Sequence, residues 1–173
     1  VTHPTRAPAS VRLVPLSSDV LQALLDGDLA RADAAAGVAL PPAFLADTWL
    51  WTLRLGQLVG DPGCAPWLIR AVVPRGAGHA VGHAGFHGPP DEHGMVEIGY
   101  RIVAEHRRRG FARAAVTELL AYALAHGATV ARASISPDNA PSLALAASFG
   151  FVHVSEQIDE IDGLELVFER TLT

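Results

Sequence analysis

Lysine is absent from this chain of 173 residues, so its whole basic count of 13 is arginine. That excludes a Walker-type phosphate loop, whose lysine reaches the outer phosphates, and a Schiff-base lysine. A single cysteine, Cys64, excludes an intrachain disulfide and any multi-cysteine metal site. It lies in the turn-rich run Asp61-Pro62-Gly63-Cys64-Ala65-Pro66, with no base placed beside it in sequence. His83, His87 and His93 lack the fixed spacing of a zinc site, so no metal is expected. Charged residues make up only 18% and hydrophobic ones 50%, which argues for one folded domain across residues 1–173 rather than a disordered chain. The formal charge of −5 opposes a general nucleic-acid binder. No run of 18 apolar residues and no signal-peptide pattern is present, so the expectation is a soluble, cytoplasmic protein with no membrane partner.

Against this background the stretch from Val103 to Arg113 stands out. It follows an alternating, strand-like run from Val96 to Ile102 and leads into a helical run from Ala114 to His126, with Val116, Leu119, Leu120 and Ala123 on one face. The order is strand, cationic turn, helix start. A helix N-terminus presents unpaired N–H groups and the positive end of a dipole, which suits an anion. Gly110 and the small Ala112 let an anion's oxygens approach the backbone. Arg107, Arg108, Arg109 and Arg113 surround that point with positive charge.

Along the rest of the chain, residues 1–10 read as a loose terminus and residues 11–14 as a first strand stopped by Pro15. Ser17 or Ser18 caps a helical run that Gly27 interrupts, and an alanine-rich piece follows from Asp28 to Ala36. Pro41-Pro42 opens the next helix, with Phe44, Leu45, Trp49, Leu53 and Val59 at roughly helical spacing. Strands are expected at 67–73, 80–87, 96–102 and 129–135. Asn139 caps a short helix closed by Gly150, and two strands around an Asp162-Gly163 turn end the chain. The order β-α-α-β-β-β-α-β-α-β-β, without repeat or linker, predicts a single α/β domain with a mixed central sheet.

The spacing Arg107-x-x-Gly110-x-Ala112, after a strand and opening a helix, resembles the acyl-CoA pyrophosphate loop of the GNAT (Gcn5-related) N-acetyltransferases, whose pattern is Arg/Gln-x-x-Gly-x-Gly/Ala. Asn139-x-x-Ser142-x-x-Leu145 with Gly150-Phe151 resembles that family's second motif. The element order is also similar to the GNAT fold, so the likeness covers nearly the whole chain. Glu97-Ile98-Gly99-Tyr100 together with Asn139-x-x-Ser142 resembles the branch of ribosomal-protein alanine N-acetyltransferases (RimJ/RimL type).

The resemblance implies acetyl-CoA as acyl donor, an amine acceptor (a protein N-terminus or a small molecule), and direct transfer between them. It implies that backbone N–H groups from Arg108 through Arg109, Gly110, Phe111, Ala112 and Arg113, after Arg107, hold the pyrophosphate. It implies that Arg101, Ile102 and Val103 pair with the pantetheine arm like an added strand, and that Asn139 and Ser142 line the cofactor. Glu97 is implied as the base, directly or through a water. Many members carry a tyrosine seven residues after the capping asparagine as acid to the departing thiolate. Here that residue is Ala146, which leaves Ser142 as the candidate for the role and keeps open a non-catalytic acyl-CoA-binding module of the same fold. His83 is an alternative base, and His83 and His87, four apart on one strand face, are candidates to line the acceptor cleft. The family often forms dimers by sheet or helix contacts, so a homodimer is open.

Overall fold

The computed structural model describes residues 9–161 and 163–173. Most of the expected loose terminus, and Asp162 of the last turn, lie outside those residues. The chain forms β1 (Val11–Pro15), α1 (Ser18–Leu25), α2 (Leu29–Ala36), α3 (Thr48–Gly60), β2 (Arg70–Pro74), β3 (Gly82–Phe86), β4 (Met95–Ile102), α4 (Phe111–Ala125), β5 (Val130–Ile135), α5 (Ala140–Ser148), β6 (Val152–Asp159) and β7 (Gly163–Thr171). The seven strands make one sheet in the order β1-β2-β3-β4-β5-β7-β6. All neighbours are antiparallel except β4 and β5, which run parallel with α4 as their crossover.

Alternation along the strands sends apolar side chains to both faces, and each face has its own core. Val96, Ile98 and Ile102 of β4, with Ala84 and Phe86 of β3, pack under Val116, Leu119 and Ala123 of α4. Ala71 and Val73 of β2 pack on the opposite face against Val20, Leu21 and Leu24 of α1 and against Trp51 of α3. A sheet covered on both faces is what the near-continuous apolar reading of β2 anticipates.

The region before β2 departs from the expected pattern. Gly27 does more than interrupt a helix: α1 ends with Asp26, and Asp28 starts α2 by accepting the Arg31 N–H at 2.9 Å. Pro42–Ala46 forms a single 3-10 turn, and α3 begins afresh at Thr48. That restart changes the helical phase. Trp49, Leu53 and Val59, which continue the stripe of Phe44 and Leu45 only if one helix runs from Pro41, face outward and are 56%, 41% and 75% exposed. Trp51 and Arg54 take the buried side instead. Trp51 is fully enclosed, its ring against Phe44 and His83, and its indole N–H donates to the Phe44 carbonyl. Trp67 likewise belongs to a 3-10 segment, Pro62–Trp67, and not to β2.

Replacing Trp51 by alanine empties a fully packed site and removes the indole hydrogen bond to the Phe44 carbonyl, an expected loss of about 3–5 kcal/mol. Trp49→Ala on the solvent side is expected to change stability by less than about 0.5 kcal/mol. Urea unfolding of the two variants checks the phase of α3; equal losses would contradict it.

Candidate active site

Strand β4 has two neighbours and pairs with them over different parts of its length. Its pairing with β3 runs from Phe86↔Ile98 to Gly82↔Ile102. Its pairing with β5 covers only Met95↔Val130, Val96↔Ala131 and Glu97↔Arg132. Beyond that point β5 stays with β7, through Ile135↔Leu166, and the two parallel strands separate. The bonds from His87 N–H to the Glu97 carbonyl and from Val103 N–H to the Val81 carbonyl fix which peptides of β4 face β3. By alternation, the peptides of Ile98, Tyr100 and Ile102 face the gap.

Two cavities meet at this gap. The larger, about 610 Å³, lies along the α4–α5 side and is lined by Tyr100, Arg101, Ile102, Arg107, Arg108, Gly110, Phe111, Ala112, Arg113, Asn139 and Ser142. A second, about 380 Å³, passes from Tyr100 and Ser142 to His87, Gly99, Ser134 and Glu165 on the α3 side. Tyr100, Asn139, Ser142 and Leu145 line both, so the cavities form one passage through the sheet.

The cationic turn is shaped for close backbone approach. Gly110 caps α4 at φ +85°, and a Cβ there would come within 3.3 Å of Ala9 Cβ. Arg108 is the only non-glycine among the described residues with positive φ, at 55°. With left-handed backbone at Arg108 and Gly110 and no side-chain cap on the α4 start, the first N–H groups of the helix suit an anion. Arg107 Nε donates to the Ile102 carbonyl at 3.0 Å, tying the turn to the end of β4. Arg113 donates to Ser148 Oγ at 2.8 Å and lies over the Phe149 ring. On α5, Asn139 accepts the Ser142 N–H at 3.2 Å, the cap its sequence predicts.

Most of the candidates named from sequence are brought together here, but Val103 and Arg109 do not line either cavity. Val103 is buried in the core beneath α1–α3, its N–H committed to Val81. The Arg101 side chain is ion-paired with Asp47 on the α3 side. His83 is also a core residue: it is 6% exposed, edge-on to Phe44 and Trp51, and burial holds its pKa below the ordinary value. It does not line the passage.

Glu97 is held beside the passage without lining it. Ser134 Oγ donates to Glu97 Oε1 at 2.6 Å and accepts from Gln157 Nε2 at 3.2 Å, so its single proton is committed to the carboxylate. Gln157 also donates to Glu165 at 2.9 Å. Next to Glu97, His87 Nδ1 stands 3.7 Å from Oε1. His87 main chain is gripped from α3, where Arg54 Nη1 and Gln57 Nε2 donate to its carbonyl at 3.2 and 2.8 Å. On the donor side, Tyr100 Oη donates to Ser142 Oγ at 3.1 Å, and burial pushes the Tyr100 pKa above its usual value against that hydrogen bond. The sequence assigns Tyr100 no part in the chemistry and carries no signal for Arg54, Ser134, Gln157 or Glu165, which come from four other elements. Strand parity was the available clue for Ser134, two residues beyond the Arg132 that pairs with Glu97.

The family model described as "Acetyltransferase (GNAT) domain" matches residues 11–152. The chain is 37% identical over 95 residues to the uncharacterized N-acetyltransferase YjdG of Bacillus subtilis, a match covering 54% of each chain. The chain therefore spans about half the length of that curated relative. Among solved structures it superposes on a protein assigned to the GNAT acetyltransferases of Bordetella pertussis, with TM-score 0.61 and 25% identity, covering 93% of this chain and 95% of the other. It also superposes on RimJ of Mycobacterium smegmatis in complex with CoA-disulfide, with TM-score 0.65 and 19% identity, covering 95% and 86%. With the family model spanning both the split sheet and the arginine turn, the chain belongs to the GNAT acetyltransferase family.

Proposed function

We propose that this protein transfers an acetyl group from acetyl-CoA directly to a primary amine. The carrying observation is the passage through the sheet: a groove beside an anion-binding turn on one side opens, through the gap between β4 and β5, onto a carboxylate-lined pocket on the other. The groove fits the donor. Gly110, Ala112 and the start of α4 suit the pyrophosphate, and the peptides of Tyr100 and Ile102 that face the gap suit the amides of a pantetheine arm. Acetyl-CoA supplies the activated thioester.

The chain's own residues divide the proton work. An attacking amine must give up a proton, and the Glu97 carboxylate is the charge that draws it out on the α3 side. The Ile102 N–H, facing the gap, is the donor proposed for the developing oxyanion. The sulfur requires a proton as it leaves. Ser142 Oγ offers one, and Tyr100 Oη, hydrogen-bonded to Ser142, replenishes it. This hydroxyl pair takes the part that Ala146 cannot. The raised Tyr100 pKa keeps the phenol protonated at neutral pH.

For the acceptor we favour an α-amino group, as in the ribosomal-protein branch; the RimJ neighbour supports the fold alone. An α-amine with pKa near 7.8 costs about 0.4 kcal/mol to deprotonate at pH 7.5, whereas a lysine side chain near 10.4 costs about 4 kcal/mol. A pocket of about 380 Å³ accommodates a terminal residue or a small amine, and Glu165 at its wall with Glu97 behind Ser134 favours a cation over an anion. We place the activity in the cytoplasm, where acyl-CoA is available.

Alanine at position 110 introduces a Cβ at positive φ, a strain of about 1–2 kcal/mol. Gly110→Ala is therefore expected to weaken acetyl-CoA binding about tenfold by calorimetry; unchanged affinity would contradict the turn's role. Thiol release from acetyl-CoA with N-terminal peptides and small amines is expected to fall at least tenfold in Glu97→Gln. Tyr100→Phe and Ser142→Ala are each expected to lower kcat about tenfold while acetyl-CoA affinity stays within threefold. Acetyl-CoA binding without thiol release for any amine would instead support a binding module.

A further inference from the structure

Glu97 lies behind two side chains, Ser134 and His87, that do line the passage. Ser134 has its proton committed to Glu97 and one lone pair to Gln157, so it takes a proton from an amine only if its own moves to the carboxylate at the same time. His87 takes one outright. Its Nδ1 faces Glu97 Oε1 at 3.7 Å, and its Nε2 lies over Gly99: a Cβ on that glycine would stand 3.2 Å from Nε2. Gly99 leaves the space that the ring occupies. The side chain is 51% exposed, so a proton on Nε2 has a way out to solvent.

We propose that His87 is the immediate proton acceptor of the reaction, with Glu97 as the carboxylate that orients it and stabilises its charged form. The proposal rests on the acyl-transfer reading above. With Nδ1–H directed at Glu97, the Nε2 lone pair faces the passage, an arrangement of base and carboxylate that serves nucleophile activation in other folds. The amine nitrogen attacks the thioester carbon and loses one proton to Nε2, giving an imidazolium opposite Glu97. The C–S bond breaks, and the sulfur takes a proton from Ser142, which Tyr100 replaces. His87 then releases its proton to solvent and Tyr100 recovers one, leaving the amide and the free thiol.

The charges around the ring suit a base that starts neutral. Surrounding protein and the Arg54 cation on α3 hold the His87 pKa below 6.5, while Glu97 on β4 and Asp159 on β6 pull it upward. Glu165 of β7 lines the same pocket. The imidazole is therefore held toward its neutral form, and activity is expected to be lost as pH falls through its pKa.

The test pairs His87→Gln with titration of the His87 ring by NMR in the unloaded wild-type and Glu97→Gln proteins. The expected titration has a midpoint below 6.5 in wild type and a lower one in Glu97→Gln, because a charge that favours the imidazolium has gone. With an acceptor amine, His87→Gln is expected to lower kcat about a hundredfold, to leave acetyl-CoA affinity within threefold, and to remove the acid limb of the pH–rate profile. A His87→Gln enzyme with wild-type kcat and the same acid limb would overturn the proposal, as would a His87 midpoint that Glu97→Gln leaves unmoved. Wild-type protein that releases no thiol with any amine would instead count against the acyl-transfer reading, and the titration would still decide whether the two residues are coupled.

Discussion

The structure turns on a hydrogen-bond ladder that stops. β4 and β5 share three residue pairs and then part: β4 goes on against β3 from Ile98 to Ile102, while β5 stays against β7 as far as Ile135. Backbone N–H and C=O groups inside a protein are rarely left without partners. A strand edge that opens inside a sheet, lined by Ile98, Tyr100 and Ile102, is therefore a place where a ligand with amide groups completes the pairing. The gap also joins the two faces of the sheet. In the proposed reaction, donor and acceptor approach from opposite sides and meet without either having to pass the other.

The same separation divides the chemistry. On the α3 side stand the carboxylate of Glu97, its hydrogen-bond donor Ser134 and the imidazole of His87. On the α5 side stand the hydroxyls of Tyr100 and Ser142. A proton can leave the amine on one side while another reaches the sulfur on the other. Arg54 sustains the first set from beneath. It is 6% exposed, its Nη1 bonds to Gln57 and the His87 carbonyl, and its Nε has no partner among the described residues. Burying that cation costs stability, and desolvation pushes its pKa down. In return it fixes the end of β3 and opposes premature protonation of His87.

The donor side was legible in the sequence because it is local. Arg107-x-x-Gly110-x-Ala112 and Asn139-x-x-Ser142 each lie within a single turn, and their geometry follows from a helix start, a left-handed glycine and a cap. The alternation of β4 likewise placed Glu97 on the face opposite Ile98. The acceptor side was not legible, since it is assembled from α3, β3, β5, β6 and β7, and one sequence carries no record of which residues meet across strands. His83 and His87 share strand parity, yet one is sealed by Phe44 and Trp51 and the other opens to the passage. Only the position of α3 separates them. That position was itself misread, because the restart at Thr48 shifts the helical phase and exchanges Trp49 and Leu53 for Trp51 and Arg54 on the buried side.

The central claim is that an acyl-CoA arm completes the interrupted edge of β4. Amide hydrogen exchange with and without acetyl-CoA tests it residue by residue. Protection is predicted at the N–H groups of Tyr100 and Ile102, and across Arg108 to Arg113, while Glu97, Gly99 and Arg101, already bonded toward β3, change little. Protection confined to other parts of the chain, with these amides exchanging as before, would contradict the account.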